Sequence, residues 1–338
     1  MNIPYRTRQG LKRTALVLLV ILLFALLVWG CWLLWIQDFI VYSQQGGAQL
    51  NFDLPPVQSG EPALPPEDQE TISIYYNEGD NAINVSSELT QIVGYFVEED
   101  AMGDLAAVRT QIQSLSAGTA VMVDVKNIYG EFYYSSAVGA ARSNDVDTQA
   151  MDELITYLKS SGMYTIARVP ALRDYTYGLN HVPDGLHHSS RGYLWQDDEG
   201  CYWLDPTSEG TVSYLVQIVN ELKALGFQEV VFTDFYVPDN GKVYFNADRA
   251  ETLKTVAGTV LTSCATDYFT VSFVSDMSFS LPEGRCRLYM LNAEAANAAT
   301  IAQQTGFADP AVRLVFLTEV HDTRFDAYSV LRPLSAAH

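Results

Sequence analysis

Short apolar runs alternate with amphipathic stretches through most of the chain. Gln91–Val97, Ala120–Lys126, Met163–Val169 and Glu229–Phe235 are rich in Val, Ile, Phe and Tyr, so they predict strands. Tyr268–Val274, Arg287–Leu291 and Arg313–Leu317 follow the same pattern, and Tyr328–Leu331 offers an eighth strand. Between them, Leu105–Leu115, Asp147–Ser160, Val212–Leu225, Arg249–Cys264 and Glu294–Gln304 repeat apolar positions with a helical period; Gly162 and Gly226 stop two of them. Strands such as Ala120–Lys126 are apolar on both faces, as parallel strands covered by helices are. The alternation predicts an α/β fold with parallel βαβ units. A (β/α)8 TIM-like barrel fits best, complete or short of its last strand, with an open doubly wound sheet as the alternative.

The N-terminal pattern is different. Ala15–Ile36 is apolar except for Gly30, and at helical rise it is about 33 Å long, enough to cross a bilayer. Arg6, Arg8, Lys12 and Arg13 precede it without an acid, and Trp29, Trp32 and Trp35 gather toward its far end. The expectation is a cytoplasmic stub over 1–14 and an uncleaved transmembrane signal-anchor over 15–36. The Pro-, Gln- and Gly-rich stretch 37–70 then reads as an extracellular linker, and 71–338 as the barrel. The chain is thus expected at the cell membrane, spanning it once, with the barrel outside.

Composition narrows the partners. The chain has 20 Lys+Arg and 40 Asp+Glu, a net charge of −20. Four of the cations lie in the stub, so the remainder is more acidic still, which argues against nucleic acid. No GxSxG, HExxH, CxxC, Walker A or GxGxxG motif is present. His181, His187 and His188 match no zinc spacing, so neither metal nor cofactor is expected. Cys264 and Cys286 flank the fifth strand and could pair, but nothing in the sequence shows that they meet.

The chemistry that remains is a set of acids after the strands: Asp124, Asp174, Asp234, Asp276, Glu294 and Glu319. In a barrel those ends converge on one mouth, where two carboxylates suffice to cleave a glycosidic bond. Asp124 and Asp234 interrupt apolar runs, where a carboxylate is costly, and are the preferred catalytic pair. Helix capping is the competing role for each acid. The loop after the third strand holds Tyr175, Tyr177, Tyr193, Trp195, Tyr202 and Trp203. Such rings suit a sugar groove or simply pack the loop.

Four blocks carry a resemblance to a known family. Val121-Met-Val-Asp-Val-Lys126 with Tyr129-Gly130, Gly162–Arg168 with Leu172-Arg-Asp174, Trp203-Leu-Asp-Pro206, and Leu225-Gly-Phe-Gln-Glu229 occur in the order of the glycoside hydrolase family DUF4015. The resemblance implies a TIM barrel and a polysaccharide glycosidase. Lys126, Arg168, Asp174, Trp195, Trp203, Asp205 and Tyr236 are the candidates for substrate binding. The chain departs from the family pattern at Asn127, Thr233 and Tyr236. If the fourth strand alternates regularly, Asp234 faces away from the mouth; a bulge would restore it. The alternative is a barrel without turnover that binds carbohydrate or serves as an envelope scaffold.

Overall fold

The computed structural model describes residues 88–139, 141–319 and 321–337, with Leu22, Val28, Trp29 and the backbone of Ile40–Ser43 and Gly47–Leu50. The expected stub and nearly all of the expected membrane helix lie outside the described residues, as does most of the linker. Among the described residues no helix is long and apolar enough to cross a membrane. Ile40–Ser43 and Gly47–Leu50 pair as an antiparallel hairpin in a unit spanning Met1–Asn77. The second unit is Glu78–His338.

In that second unit eight strands close a barrel: β1 (Val93–Phe96), β2 (Ala120–Asp124), β3 (Tyr164–Pro170), β4 (Glu229–Thr233), β5 (Thr270–Val274), β6 (Leu288–Leu291), β7 (Leu314–Leu317) and β8 (Ser329–Pro333). All neighbours are parallel and follow chain order. The eighth strand is present and closes the cylinder, with Val330 opposite Val93. Closure leaves no sheet edge, which excludes the open doubly wound alternative.

Helices α1 (Leu105–Gln113), α2 (Thr148–Ser160), α3 (Tyr175–Asn180), α4 (Glu209–Leu225), α5 (Arg249–Cys264), α6 (Ala298–Thr305) and α7 (Pro310–Arg313) cover the outside. Capping sets several starts: Asp104, Asp147, Asp174, Ser208 and Asp248 each accept a backbone N–H of the first turn. Gly226 ends α4 at φ 103°, a left-handed position that glycine occupies without strain. The alternation is incomplete in two places. Among the described residues no helix joins β5 to β6, and a single 3-10 turn, Thr323–Phe325, lies between β7 and β8.

Each strand sorts its side chains between two cores. Val121 and Val123 of β2 face the helical layer, whereas Ala120 and Met122 join Ile166, Val231, Tyr289 and Val315 inside the cylinder. Below this apolar layer the buried Glu229 carboxylate pairs with Arg287 and accepts the hydroxyls of Tyr164, Ser272 and Tyr289. Gly94 is required where β1 meets β2, because a Cβ there would lie 1.9 Å from the Ala120 carbonyl oxygen.

Candidate active site

The same inward register carries polar groups to the C-terminal mouth. On β2, Ala120 and Met122 point inward, so Asp124 does too. Asp124 is paired in register with Arg168 of β3. The two form a forked ion pair: Arg168 Nε donates to Asp124 Oδ1, and Nη2 donates to Oδ2 at 2.6 Å. Burial acts to lower the Arg168 pKa, but the hydrogen bonds and charge of Asp124 hold it above its ordinary value.

Asp234 follows β4, whose inward residues are Glu229, Val231 and Thr233. Strict alternation would turn Asp234 outward. Its backbone instead takes φ 48°, and the side chain lines the same cavity as Thr233 and Asp124. The local reversal thus supplies what a bulge would. Burial raises the Asp234 carboxyl above its ordinary value, while the Thr233 hydroxyl (3.1 Å) and the charges of Arg173 and Lys126 oppose that rise.

The cavity has a volume of about 700 Å³ and sits over the β1–β4 half of the mouth. Besides Asp124, Arg168, Thr233 and Asp234 it is walled by Lys126, Asn127 and Pro170, and by Glu99, Tyr129, Glu131, Tyr133, Asp145 and Glu199 from the loops. Asn127 shapes one wall. Its side-chain oxygen accepts the N–H groups of Tyr129 and Glu131, and its amide donates to the Glu131 carboxylate at 2.8 Å.

Several expected binding residues stand elsewhere. Asp174 is fully buried; it pairs with Lys126 at 2.8 Å, caps α3 and accepts the Tyr214 hydroxyl at 2.9 Å. It has no surface to offer a ligand. Lys126 reaches the cavity wall, but its ammonium is spent on Asp174 and the Pro170 carbonyl. Trp195 and Trp203 are core residues, 5% and 2% exposed, because the loop folds back as a ladder through Arg173–Trp203, His187–Leu194 and Gln196–Tyr202. Trp203 donates its indole N–H to Asp197, which also pairs with Arg173. Asp205 accepts from Thr207 in a tight turn. Tyr236 is exposed, with its ring against Trp203. None of these four lines the cavity, nor do Asp276, Glu294 and Glu319. Among the described residues no His/Cys/Asp/Glu cluster could hold a metal, and Cys201, Cys264 and Cys286 are free and buried. Cys264 and Cys286, which could have paired, are each free.

The cavity residues not anticipated are Glu99, Glu131, Tyr133, Asp145 and Glu199. Glu99 follows the first strand within the acidic run Glu98-Glu99-Asp100, so nothing in its sequence context singles it out as the apolar run does Asp124. Glu131 and Asp145 lie in a long loop whose fold depends on Asn127, a contact no periodicity reveals.

The family model described as "DUF4015: Putative glycosyl hydrolase domain" matches residues 96–267, just over half of the 338 residues. The chain belongs to this family. The match takes in β2, β3 and β4, and with them Asp124, Arg168 and Asp234. Among solved structures, a hypothetical protein from Ruminiclostridium thermocellum is 19% identical, with 53% of this chain and 96% of that one covered and a TM-score of 0.46. An α-galactosidase from Geobacillus stearothermophilus is 14% identical at TM-score 0.48, covering 73% of this chain and 39% of its own. An α-galactosidase from Thermus thermophilus is 12% identical at TM-score 0.42, covering 56% of this chain and 39% of its own. This chain thus spans about two fifths of either galactosidase, and identities this low carry no substrate information. No curated protein matches the sequence.

Proposed function

We propose that the protein hydrolyses a glycosidic bond of a polysaccharide held in the barrel-mouth cavity, with Asp234 as general acid and Asp124 as nucleophile or base. The observation that carries this is the convergence of two differently treated carboxylates on one cavity. Asp234 is half-buried and desolvation raises its pKa, which favours a proton to give to the leaving oxygen. Asp124 is held in a guanidinium fork. The fork engages two of a carboxylate's roughly four lone-pair sites and leaves the others for the sugar or for a water. Such chemistry requires no cofactor.

The competing reading is a sugar-binding barrel without turnover, and the engagement of both Asp124 oxygens by Arg168 is what favours it. The placement of this activity outside the cell, at the membrane, rests on the apolar run 15–36 and the four cations before it. Incubating the full chain with a panel of polysaccharides and assaying new reducing ends tests the hydrolase. Release is expected from at least one glycan and is lost in the double variant Asp124→Asn with Asp234→Asn. Release undiminished in that variant would rule out this site.

A further inference from the structure

The cavity is far more acidic than two catalytic carboxylates require. Six carboxylates line it, Glu99, Asp124, Glu131, Asp145, Glu199 and Asp234, against two cations, Lys126 and Arg168. Both cations are already committed, Lys126 to Asp174 and Arg168 to Asp124. Glu199 meets Arg173 at 3.2 Å. Among the described residues Glu99, Glu131 and Asp145 have no ion-pair partner. These three come from the loop after β1 and the loop after β2, so the negative field reaches the cavity from two neighbouring loops.

A second, independent feature lies among them. Tyr133 is only 8% exposed and lines the cavity, and among the described residues its hydroxyl makes no hydrogen bond. That hydroxyl is left free to bond a ligand in the cavity. Burial, then the charges of Asp124, Glu99, Glu131 and Asp145, push its pKa up to about 12, so it stays neutral and its oxygen can accept a proton donor.

We propose that this cavity selects a glycan carrying free, protonated amino groups, a de-N-acetylated amino-sugar chain, with Tyr133 accepting a hydrogen bond from one ammonium group. This specificity rests on the reading of the cavity as a glycan site. A uronate or phosphorylated glycan would meet three unpaired carboxylates, and a neutral one would gain nothing from them. An ammonium chain neutralises them and satisfies the phenol.

The test is calorimetric binding by the full chain of glucosamine oligomers, their fully N-acetylated counterparts and galacturonate oligomers of equal length. It is run near pH 6, where the amines are charged, at low and high salt. The amino oligomer is expected to bind at least about tenfold more tightly than either competitor, with the preference shrinking as salt screens it. Glu131→Gln with Asp145→Asn is expected to erase most of that preference with an unchanged thermal midpoint. Tyr133→Phe is expected to weaken the amino oligomer alone. Equal binding of the N-acetylated chain, tighter binding of the uronate, no binding of any, or a preference indifferent to these variants overturns the proposal. Amino oligomers bound but never cut would leave the specificity standing and remove the hydrolase. A neutral or acidic glycan cut in preference would do the reverse.

Discussion

Changing Lys126 to Met asks whether that lysine serves the substrate or the fold. In the structure its ammonium is fully buried, 2.8 Å from the equally buried Asp174 carboxylate and 3.2 Å from the Pro170 carbonyl. Met matches the length of the stem but brings no charge. Asp174 would keep the Tyr177 N–H and the Tyr214 hydroxyl and lose its ion-pair partner, the only one among the described residues. Breaking one side of a buried pair typically costs about 3–5 kcal/mol, because the remaining charge is desolvated without compensation. For a unit of this size that corresponds to a fall in melting temperature of roughly 10 °C. Adding Asp174→Asn removes the stranded charge. The amide oxygen still caps α3, and its N–H can donate to Tyr214, so the double variant is expected to recover most of the loss. Urea unfolding of the wild type, both single variants and the double variant closes the cycle. A Lys126→Met cost below about 1 kcal/mol, or a double cost equal to the sum of the singles, would refute the structural role of the pair.

Three further outcomes follow from the same contacts. Asp234 has a raised folded-state pKa, so the folded protein holds its proton more tightly than the unfolded chain; stability at this site is therefore lost as pH rises above the ordinary value of 3.8 through the raised one. Asp234→Asn is accordingly expected to stabilise the barrel at neutral pH relative to wild type, with no gain near pH 3, in paired thermal melts; an equal effect at both pH values would contradict the burial argument. Gly94→Ala drives a methyl against the Ala120 carbonyl at 1.9 Å and is expected to cost more than about 3 kcal/mol or abolish folding, read as soluble yield and far-ultraviolet dichroism. Cys201, Cys264 and Cys286 are free and buried, with Cys201 pushed up to about 11 first by burial, so a thiol reagent should label none of them in the native protein and all three after denaturation.

The strands were legible because each carries apolar residues on both faces, as Ala120–Asp124 does, a pattern only a covered parallel strand requires. Their ends were less so: Gln91–Val97 contracts to Val93–Phe96, since composition does not mark where pairing stops. Asp124 stood out as a carboxylate in an apolar run. The orientation of Asp234 could not be read, because it depends on one backbone angle of 48° that departs from strand alternation. Trp195 and Trp203 were legible as a cluster but not as buried ones, because their burial follows from the ladder between distant parts of the loop. Asp174 misled for the same reason; its partners Lys126 and Tyr214 come from β2's loop and from α4.

The division of labour between the two carboxylates is tested most directly by comparing a polysaccharide substrate with an aryl glycoside of the same sugar on wild type, Asp234→Asn and Asp124→Asn. A nitrophenolate leaves without protonation, so it does not need a general acid. Asp234→Asn should therefore lose about 10²–10⁴-fold in turnover of the polysaccharide and little on the aryl glycoside, while Asp124→Asn loses both. Equal losses on the two substrates in Asp234→Asn, or full activity in Asp124→Asn, would contradict the account.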